Sequence, residues 1–308
     1  MHTRRLSDID GEFACGLTSV STEHSSKKLP PRKITVNKSC PALNAYVAGL
    51  CTIPSGSFVM GDRAHLDESP LHTVRLSKFQ MGKTPVTVGM WEEYVRITGR
   101  SMPEEPVSPF AGGNQINKWW SMKRHPIVYI TWDQCQQYAA WASQMCGIVM
   151  TLPTEAQWEY ACRGGMKPTT YPWGNTFNPA KVWCSKSKQG DRMTTGAVDR
   201  TSNIMLDHPW RLVDMVGNVW EWCVDWYDPS WYRSQQATVT DSVNVSSSPK
   251  QKITFVDGSS DKGALRVIRG GSWSDIDKGF FRSACRMRDF PDNFSHNYGF
   301  RLVVCEIN

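Results

Sequence analysis

Residues 269–304, RGGSWSDIDKGFFRSACRMRDFPDNFSHNYGFRLVV, narrow the folds open to this chain more than any other stretch. The segment opens on a Gly-Gly turn and closes on a compact Gly-Phe-Arg strand, and both ends read as rigid frame. Between them, residues 274–277 and 289–298 mix Ser, Asp, Ile, Phe, His, Asn and Tyr with neither strand nor helical period. Such a run is a poor core segment and a good recognition surface. Loops held by a rigid frame concentrate binding residues, and Tyr, Asn, Ser and Phe are the types that adaptable binding surfaces favour.

The rest of the chain supplies the frame. Thr87 and the residues Val88, Trp91, Tyr94 and Val95 predict a helix that stops near Gly99. Thr131 is the expected N-cap of a second helix, which carries Trp132, Cys135, Tyr138, Ala139, Ala142 and Met145 on its buried face and ends at Gly147. Thr154 and Gln157 form a capping box for a third, short helix stopping at Gly164-Gly165. Strands are expected over 53–61, broken by turn residues, and over 72–79, which alternates. Beyond the third helix the chain turns to strands and loops rich in Trp, Gly and Pro. This order predicts an α+β body rather than a doubly wound one.

The chain has 308 residues, enough for a sizeable core, and no internal linker, so one domain is expected over 42–308 behind a disordered tail over 1–41. Of the formal charge of +6, residues 1–38 contribute +3, with 7 Lys+Arg against 4 Asp+Glu. The body is nearly balanced, which argues against a nucleic-acid footprint. The opening MHTRRLSDIDGEF has the look of a vector-derived leader. Ala14-Cys15-Gly16 resembles a bacterial lipoprotein cleavage site, although the apolar region that precedes such sites is missing; the competing reading is a chance cysteine in a tail. No apolar run is long enough to span a membrane, so a membrane contact is expected only through that N-terminal anchor, at the bacterial cell surface. The ten cysteines include no C-x-x-C pair, and no two histidines have metal-ligand spacing, so a zinc site is not expected. Several of the cysteines fall on apolar faces of the expected helices or strands and read as buried free thiols.

Taken in order, IPSGSFVMG, SPLHTVRLSKFQMGKTPVTVGMWEEYV, HPIVYITWDQCQQYAAW, LPTEAQWEYACRGG, YPWGN, LVDMVGNVWEWCVDWY, RVIRGGSWS and NYGFRLVV resemble the formylglycine-generating enzyme, or sulfatase-modifying factor, family across about residues 50–304. That resemblance implies a large variant of the C-type lectin fold, with a small twisted antiparallel sheet and much loop. It also implies, in the enzyme branch, a cysteine pair shortly after the Gly-Gly-Ser turn that binds copper and attacks the substrate cysteine. Here WSDIDKGFFR follows Ser272 without a cysteine, and neither Cys285 nor Cys305 has the catalytic spacing. Without paired thiolates both nucleophile and metal ligand are lost. No enzymatic activity is therefore expected, and the extra helical domain of the family's ergothioneine-type iron enzymes has no room in this chain.

The segment 269–304 also resembles the variable region of proteins diversified by retroelements, in particular their treponemal form. In that family randomised adenines let a position become Phe, Ser, Tyr, His, Asp, Ile, Asn or Cys, and never Lys, Glu, Gln, Met or Trp. Residues 274–277 and 289–298 contain none of the forbidden types, whereas Lys278 and Met287 must be fixed. The resemblance nominates Ser274, Asp275, Ile276, Phe280, Phe281, Asp289, Phe290, Phe294, Ser295, His296, Asn297 and Tyr298 as the solvent-facing ligand-binding set. For Phe280 and Phe281 the competing expectation is burial in the core. Trp273, Arg282, Arg286 and Phe300 are expected to hold the frame.

The expected function is binding of an unknown protein or other macromolecular ligand, with no required cofactor. The alternatives are an oxidative enzyme of the formylglycine type and an accessory structural domain without a ligand. The enzyme family also holds calcium at the sequence DMVGNVWEW. Carried over, this gives the Asp214 and Glu221 side chains and the Gly217 and Val219 carbonyls as oxygen ligands. The competing reading is that Glu221 pairs with an arginine and no metal binds. A second family calcium site includes the position of Lys181, where a cation would repel the ion.

Overall fold

The computed structural model describes residues 39–106, 119–165, 168–185, 194–200, 208–245 and 264–305. The expected tail up to residue 38, with Cys15, lies outside the described residues.

Among the described residues there are four α-helices where three were expected. The additional one, α1 (Pro41–Ala48), has no side-chain cap of its own. Its first amides, Ala42 N and Leu43 N, donate instead to Glu93 Oε1 and Oε2 at 2.7 and 3.0 Å, about fifty residues away. Its one local start signal is Pro41 at the first helical position. The chain continues through β1 (Cys51–Ile53), β2 (Gly56–Met60), β3 (His72–Leu76), β4 (Phe79–Met81) and α2 (Val88–Thr98). Next come α3 (Trp132–Cys146), β5 (Met150–Thr151) and α4 (Glu155–Cys162). The last part holds β6 (Trp220–Trp226), β7 (Arg266–Arg269), β8 (Met287–Asp289), β9 (Tyr298–Gly299) and β10 (Val303–Cys305).

The three helices read from sequence begin at their caps. Thr87 accepts from Met90 N, and Thr131 and Thr154 form capping boxes with Gln134 and Gln157. Gly99 and Gly147 end α2 and α3 in the left-handed conformation, at φ 70 and 68°. On α3, Cys146 is buried and Met145 only half-buried.

One sheet has the order β1-β4-β10-β5 and knits the C-terminal strand between N-terminal ones. β2 and β3 form a ribbon, and a second four-stranded sheet runs β8-β7-β6-β9. The body is therefore α+β, as expected, but its strands among the described residues make two four-stranded sheets and a ribbon, and β6 pairs β9 in parallel, Trp220 opposite Tyr298.

α4 is buried on every side, Glu155 and Glu159 included. A buried carboxylate persists only when paired and fully hydrogen-bonded, and each of these is. Arg286 donates to both Glu155 oxygens at 2.7 and 2.8 Å, while Glu159 accepts from Arg163, Arg269 and Gly61 N. Arg282 clamps Glu68 at 2.6 Å through both nitrogens. Three arginines of the C-terminal segment thus tie it to α4 and to the stretch between β2 and β3. Among the described residues no helix is long and apolar enough to cross a membrane.

Candidate binding face

The segment over residues 269–304 opens on Gly270 and Gly271, at φ 107 and 72°. Only glycine adopts both conformations without strain, and space demands it as well. A methyl at Gly271 would lie 2.7 Å from the Phe281 ring, and one at Gly270 3.1 Å from Trp158. The turn then aims Ser272 at Asp275, whose Oδ2 accepts from Ser272 N and Ser272 Oγ, both at 2.7 Å. Trp273, wholly buried, donates through Nε1 to His296 O at 3.1 Å and lays its ring edge-on to the His296 imidazole. Asn297 Nδ2 donates to Ser272 Oγ and Ser274 Oγ at 3.1 Å. The two aperiodic runs, about twenty residues apart in sequence, are stitched together here.

The second run hangs by its backbone. Trp132 N donates to Pro291 O, Tyr129 N to Ser295 O and Trp220 N to Asn297 O, at 3.0, 3.0 and 2.8 Å. Holding a loop through its carbonyls leaves its side chains free to vary. Within it Asp289 is the hub: it accepts from Phe290 N, Asn293 Nδ2 and Tyr298 Oη at 2.8, 2.6 and 2.7 Å. Phe294 is about half exposed and meets the Tyr129 ring edge-on at 4.7 Å.

Of the twelve nominated residues, Ile276 and Phe294 are exposed. Ser274, Asp275, Phe280, Asp289, Phe290, Ser295, His296, Asn297 and Tyr298 are half-buried. Phe280 packs edge-on against Trp220, and Tyr298 against Trp222. Phe281 is a correction: it is fully buried, stacked on Phe177 and pressed against Gly271, so it belongs to the frame. Phe290 stands somewhat apart, packed on the core cluster around Trp158 and Tyr227. Trp273, Arg282, Arg286 and Phe300 are all buried in the frame.

Sequence reasoning missed Asn293, Tyr129 and the part played by Trp220. Asn293 lies inside the second run and has a permitted residue type, so it was open to nomination. Tyr129 sits at φ 64°, which is uncommon for a bulky residue and leaves no trace in the sequence. Trp220 packs in the core and carries Phe280 edge-on against its ring.

The carried-over calcium ligands do not fit the ion, and this is a second correction. Glu221 is fully buried and bound by a guanidinium: Arg301 Nη2 donates to Oε1 at 2.6 Å and Arg301 Nε to Oε2 at 2.7 Å. Trp158 Nε1 adds a third donor to Oε2 at 2.9 Å. Asp214 accepts from both terminal nitrogens of Arg200 and from Asn218 Nδ2. Each carboxylate is already neutralised, and a divalent ion would meet a guanidinium at both. The positive φ of Asp214, Gly217 and Asn218, and the buried Val219, shape this turn around arginines. Among the described residues no cluster of three or more His, Cys, Asp or Glu could hold a metal. Chelation of divalent ions is expected to leave the thermal midpoint of the protein unmoved. A downward shift on chelation, restored by calcium, would overturn this reading.

Cys285 is buried, and burial pushes its thiol up to about 12, so it is not a reactive thiolate. Cys40, Cys51, Cys135, Cys146, Cys162, Cys184, Cys223 and Cys285 are free, and all of these but Cys51 are buried.

The model of the sulfatase-modifying factor enzyme 1-like domain matches residues 37–305. The formylglycine-generating enzyme of Streptomyces coelicolor is 30% identical over 83% of this chain and 88% of its own length. An inactive Cα-formylglycine-generating enzyme 2 from Mus musculus is 28% identical over 89% of this chain and 92% of its own. Among solved structures, Treponema denticola variable protein 1 superposes with a TM-score of 0.61 at 20% identity, over 83% of this chain and 94% of that one. PvdO from Pseudomonas aeruginosa superposes at 0.64 and 24% identity, over 90% of this chain and 99% of that one.

Proposed function

This chain belongs to the sulfatase-modifying factor enzyme 1-like domain family, with its large variant of the C-type lectin fold, and from that membership we propose that it is a non-enzymatic binding protein. Its ligand surface is the face formed by the two aperiodic runs, diversified by a retroelement. The observation that carries the reading is the content of the segment after the Gly-Gly-Ser turn. Where the enzymes of the family need a cysteine pair, this chain sets a carboxylate, hydroxyls and an amide: Asp275, Ser272, Ser274 and Asn297. Those groups hold a loop in shape and bind polar partners, but they supply neither a thiolate nor a soft copper ligand.

Incubation with copper, oxygen and a cysteine-containing sulfatase peptide is expected to give no formylglycine by mass spectrometry; conversion of the peptide would establish the enzyme reading instead. The display role has its own test. Ile276 and Phe294 are the exposed members of the set, so exchange among Ser, Asn, Asp, Tyr and Phe there is expected to change stability by no more than about 0.5 kcal/mol each. Thermal melts of a small library check this. Diversification itself requires a near-copy of residues 269–304 in the genome, with Asn codons at varied positions, beside a reverse transcriptase gene.

A further inference from the structure

Arg266 opens β7 with its guanidinium between two indoles: Cζ lies 3.4 Å from the centre of the Trp226 ring and 3.6 Å from that of Trp132. Trp226 stands opposite Arg266 on β6, and Trp132 reaches it from the start of α3. Two flat faces hold a flat cation in one orientation, so its N–H groups point sideways, out of the stack. Nη1 donates to Val224 O at 2.6 Å. Nε is buried without an acceptor, and Nη2, which also makes no hydrogen bond among the described residues, is not sealed from solvent.

That idle edge is the one by which other guanidinium groups of this protein hold carboxylates. Arg286 grips Glu155 and Arg301 grips Glu221, each through Nε and Nη2 together. At Arg266 nothing among the described residues takes that place. The nearby carboxylates are engaged elsewhere: Asp225, buried on β6, accepts from Glu155 N and Asn244 N, and Asp289, opposite Arg266 on β8, accepts from Phe290 N, Asn293 and Tyr298. Asp133, exposed one position after Trp132, forms no ion pair among the described residues. Arg288, the neighbouring cation on β8, faces the other side of the sheet over Tyr227. Only 9% of Arg266 is exposed. A guanidinium withdrawn from water with two unmet N–H donors lacks an acceptor, and the planar fork of a carboxylate matches it.

We infer that the Nε–Nη2 edge of Arg266, clamped by Trp132 and Trp226, is a binding site for a carboxylate, either a free one or the side chain of an acidic polypeptide. The site borders the proposed face. Trp132 N donates to Pro291 O of the second run at 3.0 Å, and Asp289, the first residue of that run, is the cross-strand neighbour of Arg266. None of the three clamp residues belongs to the twelve nominated ones, so the site is a fixed contact beside the positions nominated to vary, and it stands whether or not the display reading does. Asp133 opposes it, since a like charge beside the clamp weakens the hold on any anion.

The full chain is titrated with acetate, capped Gly-Glu-Gly and capped Gly-Gln-Gly, and the Arg266 Nε–H signal and the Trp132 and Trp226 indole N–H signals are followed by NMR. Saturable shifts of all three are expected with the two carboxylates, and binding of the glutamine peptide is expected to be at least about tenfold weaker. Arg266→Lys keeps the charge and loses the two-pronged edge, and is expected to weaken the glutamate peptide by at least about tenfold, read at the indoles. Asp133→Asn, exposed and outside the clamp, is expected to tighten the same peptide about two- to threefold.

Tighter binding of the glutamate peptide than of acetate assigns the site to a polypeptide side chain, equal or weaker binding assigns it to a free carboxylate, and both uphold the inference. Equal binding of the glutamate and glutamine peptides, or no saturable shift with either carboxylate, overturns it. So does unchanged affinity in Arg266→Lys; should that variant melt early, unchanged affinity in Asp133→Asn overturns it instead. The formylglycine assay and the library melts decide the display reading separately.

Discussion

Replacing Arg301 with methionine is expected to destabilise the protein by about 3–5 kcal/mol, because it removes one partner of a buried ion pair and strands the other. Glu221 would remain with no exposure and a single donor, Trp158 Nε1. Arg301 also donates to the carbonyls of Gly82, Val213 and Asp214, at 3.1, 2.9 and 3.3 Å, so its loss unbinds three chain segments at once. At roughly 2–4 °C per kcal/mol for a body of this size, the thermal midpoint should fall by about 10 °C. Arg301→Lys, which keeps the charge and loses the two-pronged geometry, should fall between the variant and the parent. A methionine variant that melts like the parent would show that Glu221 has another partner, and the calcium reading would return.

The second large effect separates two adjacent phenylalanines. Phe281→Ala is expected to cost about 3–5 kcal/mol, the range for a fully buried aromatic side chain. Phe281→Ser adds a buried hydroxyl with no partner and should be worse, a large fraction of the roughly 5–15 kcal/mol that holds a typical domain folded. Phe280→Ser, by contrast, gives up one edge-on contact with Trp220 from a half-buried position and is expected to fold. Soluble yield and circular dichroism melts of the two serine variants decide the matter. Equal tolerance at both positions would return Phe281 to the displayed set.

Asp225 shows how far the core departs from neutral expectations. It is fully buried and accepts from Glu155 N and Asn244 N at 2.7 and 2.9 Å. Burial, reinforced by the Glu155 charge, pushes its carboxyl up to about 7. It thus sits at the start of α4 as a cap from another element. The network of Glu155, Glu159, Arg163, Arg269 and Arg286 beside it binds β7 and the segment after the Gly-Gly turn to the helix. The proposed binding face stands on that charged, hydrogen-bonded base.

What the sequence determined by itself is what acts over a few residues. Thr87, Thr131 and Thr154 began their helices because a hydroxyl reaches the amide three positions on, and Gly99 and Gly147 ended theirs because glycine alone adopts the left-handed turn cheaply. The two aperiodic runs were legible for the same reason, since they lack any period that a packed element needs. Tertiary structure decided the rest. α1 exists because Glu93 caps it from α2, Glu221 is an ion-pair partner because Arg301 returns eighty positions later, and Phe281 differs from Phe280 only in which side of the chain faces Gly271 and Phe177. Burial and charge pairing depend on which distant segments meet, and that is fixed by the packed chain as a whole, not by any stretch of it.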